Sequence, residues 1–208
     1  MKIRTLLSSI ALAGAVALSS VSSTAFAQSA APVKGDWTID LSHTGISFSV
    51  RHMVVSTVHG RFNKVSGSIH AAGKDIESST VDFTIQVASI DTNEPQRDAH
   101  LKSADFFDAT KYPTISYKSR SISKVGAGKY VAHGDFTLHG ITKKLDLPFT
   151  LSGPVKDAFG QTRLGLQSNV RINRQDYGVK WNMKLDKGGL AVSDDVDIEI
   201  NLEATPAK

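Results

Sequence analysis

Apolar and polar residues alternate with a period of two in at least six stretches of this chain, and almost nothing reads as a long helix. The clearest are Val81-Asp82-Phe83-Thr84-Ile85-Gln86-Val87, Lys144-Leu145-Asp146-Leu147 running on to Phe149 and Leu151, and Val196 through Leu202. Side chains on a strand point to opposite faces in turn, so each stretch has one apolar and one polar face. With no helices to cover a sheet, the apolar faces must bury one another, in a sandwich or a closed barrel. A barrel can enclose a hollow, and a hollow lined this way suits an apolar ligand.

The first 27 residues are set apart. Lys2 and Arg4 precede a short apolar stretch, Thr5 to Val21, diluted by serines, and Ala25-Phe26-Ala27 ends it before Gln28. This is the pattern of a cleaved secretory signal peptide, and the stretch is shorter and more polar than a membrane span requires. Residues 28–208 remain as one domain large enough for a sizeable core. The expected location is the periplasm. The chain has no cysteine, so neither disulfides nor a lipoprotein anchor are available. No later stretch approaches a membrane span. Lys2 and Arg4 contribute two of the four net positive charges. The remaining charges are interspersed with no basic stripe, which gives no support to nucleic-acid binding.

Strands are expected at 36–40, 45–52, 58–70, 79–90, 114–123, 128–139, 144–153, 162–173 and 194–204. Turn residues separate them, among them Ala72-Gly73-Lys74-Asp75, Gly126-Ala127-Gly128, Gly140, Gly153-Pro154 and Lys187-Gly188-Gly189. Short strands at this spacing describe an all-β meander, here a single antiparallel up-and-down barrel of about eight strands. The exception is 92–113, a short helical connection near 93–110. Asn93 is a candidate cap with Pro95 in the first turn, and Ser103 could cap a second turn carrying Phe106 and Phe107. A long connection of this kind either fills one barrel end with Leu101, Phe106 and Phe107 or serves as a lid.

No nucleophile elbow, zinc-protease, dinucleotide or metal-spaced cysteine motif occurs, so no catalytic residue, metal ligand or cofactor is assigned. The seven histidines are scattered. His133 and His139 fall on the parity opposite to Phe136 and Leu138, and so face solvent or a loop. His100, beside Arg97 and Asp98, either helps fix the long connection or meets a polar head group at a cavity mouth with Arg97. Arg174, Asp176 and Gly178 suggest an ion pair at a strand end. An outer-membrane barrel would alternate in the same way. It is disfavoured by two Trp and four Tyr for two aromatic girdles, and by Asp82, Asp146, Asp197 and Glu199 on the polar faces.

An ordered set of segments resembles the YceI-like family of secreted bacterial proteins. It runs from Trp37-Thr38-Ile39-Asp40 and His43 through Met53 to Val58-His59-Gly60-Arg61-Phe62 and Ser89-Ile90-Asp91-Thr92. It continues with Arg97 to Asp108, Tyr112-Pro113-Thr114-Ile115, Gly134 to Lys143 and Val192 to Val196. The family's usual Ser after the first His is Thr44 here, and its usual Phe before Gly178 is Tyr177. The resemblance implies a lipocalin-like barrel that binds a long isoprenoid or similar amphiphile, a carrier or storage protein rather than a catalyst. It leaves a homodimer open.

The cavity expected on both grounds is lined by Phe48, Val50, Phe62, Phe83, Ile85, Val87, Ile115, Tyr117, Phe136, Leu138, Leu147, Phe149, Leu166 and Val170, with Leu101, Phe106 and Phe107 from the connection. Burying about ten methylene equivalents there gives roughly 8 kcal/mol gross, near the micromolar scale before ordering costs. The partner this implies is a hydrophobic small molecule: an isoprenoid, quinone-like or fatty amphiphile. Two rival readings stand beside it. One is an enzyme on a lipid-like substrate with a mouth histidine as base; the other is a ligand-free stress module whose lumen is solid.

Overall fold

The computed structural model describes residues 33–185 and 189–208. The expected leader, residues 1–27, and most of the Lys187-Gly188-Gly189 turn lie outside the described residues. In chain order the strands are β1 (Lys34–Ile39), β2 (Gly45–His52), β3 (Ser56–Phe62), β4 (Val65–Ala72), β5 (Thr80–Gln86), β6 (Ile90–Asp91), β7 (Thr114–Gly126), β8 (Lys129–Leu138), β9 (Ile141–Lys156), β10 (Thr162–Asn173) and β11 (Val192–Pro206). One helix, α1 (Pro95–Lys102), lies between β6 and β7.

The eleven strands occupy eight places around a closed antiparallel barrel. The ring runs β1-β4-β5-β7-β8-β9-β10-β11 and closes where β1 pairs with β11. Three places are split between two strands. β1 and β2 share one edge of β11, at residues 204–206 and 192–201 respectively. β4 and β3 pair with β1 and β2 in turn, and β5 and β6 pair with β4 and β3. The expected single strands 58–70 and 79–90 are therefore each two strands with a break between them.

The breaks are stitched to one another. Asp40 accepts from the Ser42 N–H at 3.0 Å and starts the 3-10 turn Leu41–His43. The Asn63 N–H donates to the Ser89 carbonyl at 3.1 Å, the Lys64 N–H to Ser89 Oγ at 3.0 Å, and the Gln86 N–H to the Lys64 carbonyl at 2.9 Å. In the 3-10 turn Val87–Ser89, Val87 and Ile90 stay buried three residues apart, where strict alternation would have buried Val87 and Ser89. A crease thus crosses three neighbouring places and divides the barrel into two halves.

Elsewhere the alternation sets the faces. Val81, Phe83 and Ile85 are buried while Asp82 and Thr84 are half-exposed. The apolar sets of all eight places turn toward the lumen, not outward. On the β1, β4, β5 side of the crease, Trp37, Ile69, Val81, Ile122, Leu164 and Leu202 belong to one continuous buried core. That half is solid.

The cap of α1 differs from expectation. Glu94, not Asn93, holds the cap, its carboxylate accepting from the N–H groups of Gln96 (3.2 Å) and Arg97 (2.7 Å). Asn93 adopts a left-handed φ of 59° and turns the chain into the helix. Ser103 closes the helix through its N–H to the His100 carbonyl and leads into the turn carrying Phe106 and Phe107.

Candidate functional site: an apolar chamber in one half of the barrel

On the β2, β3, β6 side of the crease the lumen is hollow. The chamber has a volume of about 110 Å³, set in about 960 Å³ of space between atoms that includes its opening to solvent. The surface it offers is wholly apolar. Every place in the barrel contributes: Phe48 and Val50 from β2, Phe62 from β3, Phe83 and Ile85 from β5, Ile115 and Tyr117 from β7, Phe136 and Leu138 from β8, Leu145 and Leu147 from β9, Val170 and Ile172 from β10, and Val196, Ile198 and Ile200 from β11.

Two of these rings owe their place to glycines. A Cβ on Gly60 would stand 2.3 Å from Cζ of Phe48, so only glycine lets that ring lie against β3. A Cβ on Gly134 would come within 2.8 Å of the Tyr117 ring. The Tyr117 hydroxyl donates to the carbonyls of Ala132 (2.7 Å) and Leu145 (3.2 Å), which leaves its ring as the surface facing the chamber. Burial pushes its pKa well above that of free tyrosine.

The connection 92–113 roofs the chamber. β6 pairs only with β3, so the wall lacks a strand-to-strand seam between β6 and β7, and this segment covers the gap. Leu101, Phe106 and Phe107 reach the chamber, and the Phe107 ring meets Phe62 edge-on at 6.1 Å. Arg97 donates to the hydroxyl and carbonyl of Thr92 at 2.8 and 2.7 Å; Asp98 accepts from the same residue's N–H and hydroxyl at 2.9 and 2.6 Å. His100 bonds Asp105 at 3.1 Å, and its ring sits 5.0 Å from those of both Phe106 and Trp181. Neither Arg97 nor His100 is among the lining residues; both brace the roof.

A second brace closes the chamber end. The Arg174 guanidinium is buried and donates to the carbonyls of Ser193 (2.9 Å), Val179 (2.7 Å) and Trp181 (2.9 Å). Its carboxylate neighbour is Asp194 at 3.4 Å, whereas Asp176 pairs with Lys143 at 3.4 Å; the pair expected between Arg174 and Asp176 does not form. Burial pulls the Arg174 pKa down and Asp194 opposes it. The side chain ties residues 179–181 to the start of β11, and Val179 and Val192 line the chamber beside it.

Three residues expected in the lining lie elsewhere. Val87 sits in the crease, and Phe149 and Leu166 pack in the core without bordering the hollow. Several lining residues went unnamed in the sequence. Ile46, Leu145, Ile172, Val196, Ile198 and Ile200 continue alternations that were legible, whereas Arg174, Val179 and Val192 belong to a stretch without period two.

The histidines do not gather. His133 bridges Ser123 and Asp146 on the outer face, and the His139 ring in the β8–β9 turn packs at a tilt against Tyr112. Asp40, His43 and Glu203 do come together, but Arg163 bonds both carboxylates and so already occupies them. Among the described residues no helix is long and apolar enough to cross a membrane.

These features define a lipocalin-like antiparallel barrel with an apolar chamber in one half. The family model described as the YceI-like domain matches residues 37–204, and the chain belongs to the YceI-like family. It is 35% identical to a UPF0312 protein of Vibrio cholerae serotype O1 over 191 residues, 91% of this chain and 95% of that one. A UPF0312 protein of Photorhabdus laumondii is 36% identical, over 80% of this chain and 83% of its own length. Among solved structures, a Campylobacter jejuni YceI protein aligns with a TM-score of 0.65 at 29% identity, covering 76% of this chain and 90% of that one. Burkholderia cenocepacia BcnA shares the fold with a TM-score of 0.71 at 24% identity, over 80% and 99% of the two chains. So does a polyisoprenoid binding domain from Saccharophagus degradans, with a TM-score of 0.63 at 13% identity, over 82% and 98%.

Proposed function

We propose that this protein binds the apolar tail of an isoprenoid or similar amphiphile in the chamber and carries or stores it in the periplasm after export. The observation that carries this reading is a hollow with no polar surface, walled from all eight places of the barrel. Apolar cavities of about 150 Å³ stay dry and take up benzene-sized molecules. The chamber therefore accepts one small apolar group as it stands, and a longer tail enters only if its roof yields. The family relation and the neighbour described as a polyisoprenoid binding domain support an isoprenoid as the occupant. The leader-like residues 1–27 support export. The surface the chamber presents is apolar, and the reading is one of binding.

Native mass spectrometry of untreated protein, followed by organic extraction, tests this. The expected result is a hydrophobic molecule released in near-stoichiometric amount; consistently empty protein that also takes up no added prenyl alcohol rejects it. The same spectrum reads the subunit count and so the homodimer left open above.

A further inference from the structure

The chamber is bounded differently at its two ends. Toward the solid half it stops abruptly. On β5, β7 and β9, Phe83, Tyr117 and Leu147 border the hollow, whereas Val81, Ser119 and Phe149, two residues further along each strand, are buried outside it. The floor at this level is made of rings. Phe83 lies opposite Tyr117 across β5 and β7, and Tyr117 opposite Phe136 across β7 and β8. The rings of Phe83 and Tyr117 stack 5.5 Å apart with their planes inclined by 24°.

Tyr117 is pinned in that position. The carbonyls that accept from its hydroxyl belong to Ala132 and Leu145, and Leu145 pairs with Gly134, so both lie on the solid side of Phe136. The ring therefore leans away from the chamber and over Gly134, where the missing side chain gives it room. A buried hydroxyl that swung away from these carbonyls would be left without a partner in apolar surroundings, so the ring holds its place.

The roof is held in another way. Among the described residues, the hydrogen bonds of residues 94–107 all end within residues 92–109. Left-handed residues stand at its two ends, Asn93 at φ 59° and Asp108 at φ 46°. Between them the roof meets the barrel through apolar side chains such as Phe107 against Phe62, and Phe106 against Trp181. Apolar contact has no direction, so the roof shifts without stranding a polar group, and the floor does not.

We propose that Phe83 and Tyr117 fix the depth to which a tail enters, and so the tail length the chamber prefers, while the roof gives way to whatever part is too long. This rests on the carrier reading and adds the residues that choose among tails. Affinity then rises with each unit that the floor allows to be buried and levels off beyond it.

Calorimetric titration with prenol, geraniol, farnesol and geranylgeraniol, each one isoprene unit longer than the last, tests it on protein freed of any bound molecule. Wild type is expected to gain affinity up to one of these alcohols and then level off. Phe83→Ala takes one ring out of the floor. It is expected to move the levelling point to the next longer alcohol, and to bind that alcohol at least about tenfold tighter than wild type does. Phe83→Leu keeps the position apolar and is expected to act in the same direction by less, which serves if the alanine variant does not fold. Phe107→Ala removes an equal ring from the roof and is expected to speed uptake and release. A levelling point that stays put in every folded Phe83 variant overturns the proposal and leaves the carrier reading standing, as does an equal shift produced by Phe107→Ala. If wild type binds none of the alcohols, the carrier reading itself fails and the proposal falls with it.

Discussion

The two halves of this barrel are written in the same alternating code and end up different. Toward β1, β4 and the first half of β5 the inward side chains pack into the buried core. Toward β2 and β3, and from Phe83 and Ile85 of β5, side chains of the same types stand around open space. The crease separates them: three neighbouring places bend there, and beyond it a roof of irregular chain replaces a strand-to-strand seam between β6 and β7. Alternation decides which way a side chain points. Whether facing side chains touch is decided by where strands bend and by what closes the end.

The largest expected effect lies at the brace of the hollow half. Arg174→Met strands buried carbonyls of Val179, Trp181 and Ser193 that now accept its hydrogen bonds, and is expected to cost about 3–5 kcal/mol in urea unfolding. A loss below about 1 kcal/mol would show that the chamber end closes without it.

Next comes a matched pair across the crease. Leu164→Ala, in the solid half, is expected to cost about 2–5 kcal/mol, because its neighbours are packed and a void remains. Ile198→Ala, beside existing space in the hollow half, is expected to cost about 1–2 kcal/mol and to enlarge the chamber. Equal costs would mean the halves are packed alike.

Gly60→Ala sharpens the point from the other side. The added methyl displaces the Phe48 ring and is expected to cost about 1–3 kcal/mol. It should also lower the amount of ligand recovered by extraction; full recovery would place the occupant away from Phe48. Trp37→Phe is the mild counterpart in the solid half. The indole Nε1–H is buried with no partner, so its removal offsets the lost ring area, and stability is expected to stay within about 1 kcal/mol of wild type.

The last effect is on pH. The Asn93 N–H, the Asn63 amide and Arg61 bond the Asp91 carboxylate and hold its pKa down at about 2. Its unfolded value is about 3.9, so the contribution is complete above about pH 4 and fades as pH falls toward 2. Asp91 precedes the roof, so amide exchange in residues 92–113 is expected to speed up in that window before the strands of the solid half respond. Simultaneous loss of protection in both would show that roof and barrel open as one unit.

The barrel, its eight places and most of the chamber's inward residues were legible, because period two survives wherever a strand pairs on both edges. The crease was not. Val81 to Val87 alternates without a fault, and only the hydrogen bonds of Asn63, Lys64 and Ser89 reveal that the strand ends at Gln86. Phe149 and Leu166 carry the same signature as Leu147 and Val170, so pattern alone could not divide filler from lining. Arg174 read as a strand-end charge because its carbonyl partners, on residues 179–181 and 193, follow no periodicity. The turn at Met53-Val54 was hidden for the opposite reason: its residue types belong to strands.

β1 meets β11 over three residue pairs, Trp37 with Pro206, Thr38 with Thr205 and Ile39 with Ala204. The ring is therefore shut by its earliest and latest segments, and no partial chain emerging from a ribosome can complete it. Closure has to wait until residue 206 has been made, and the contact that completes the ring spans nearly the entire domain. A polypeptide of this design stays open along one seam while it is being made, and circularises only once its tail has arrived.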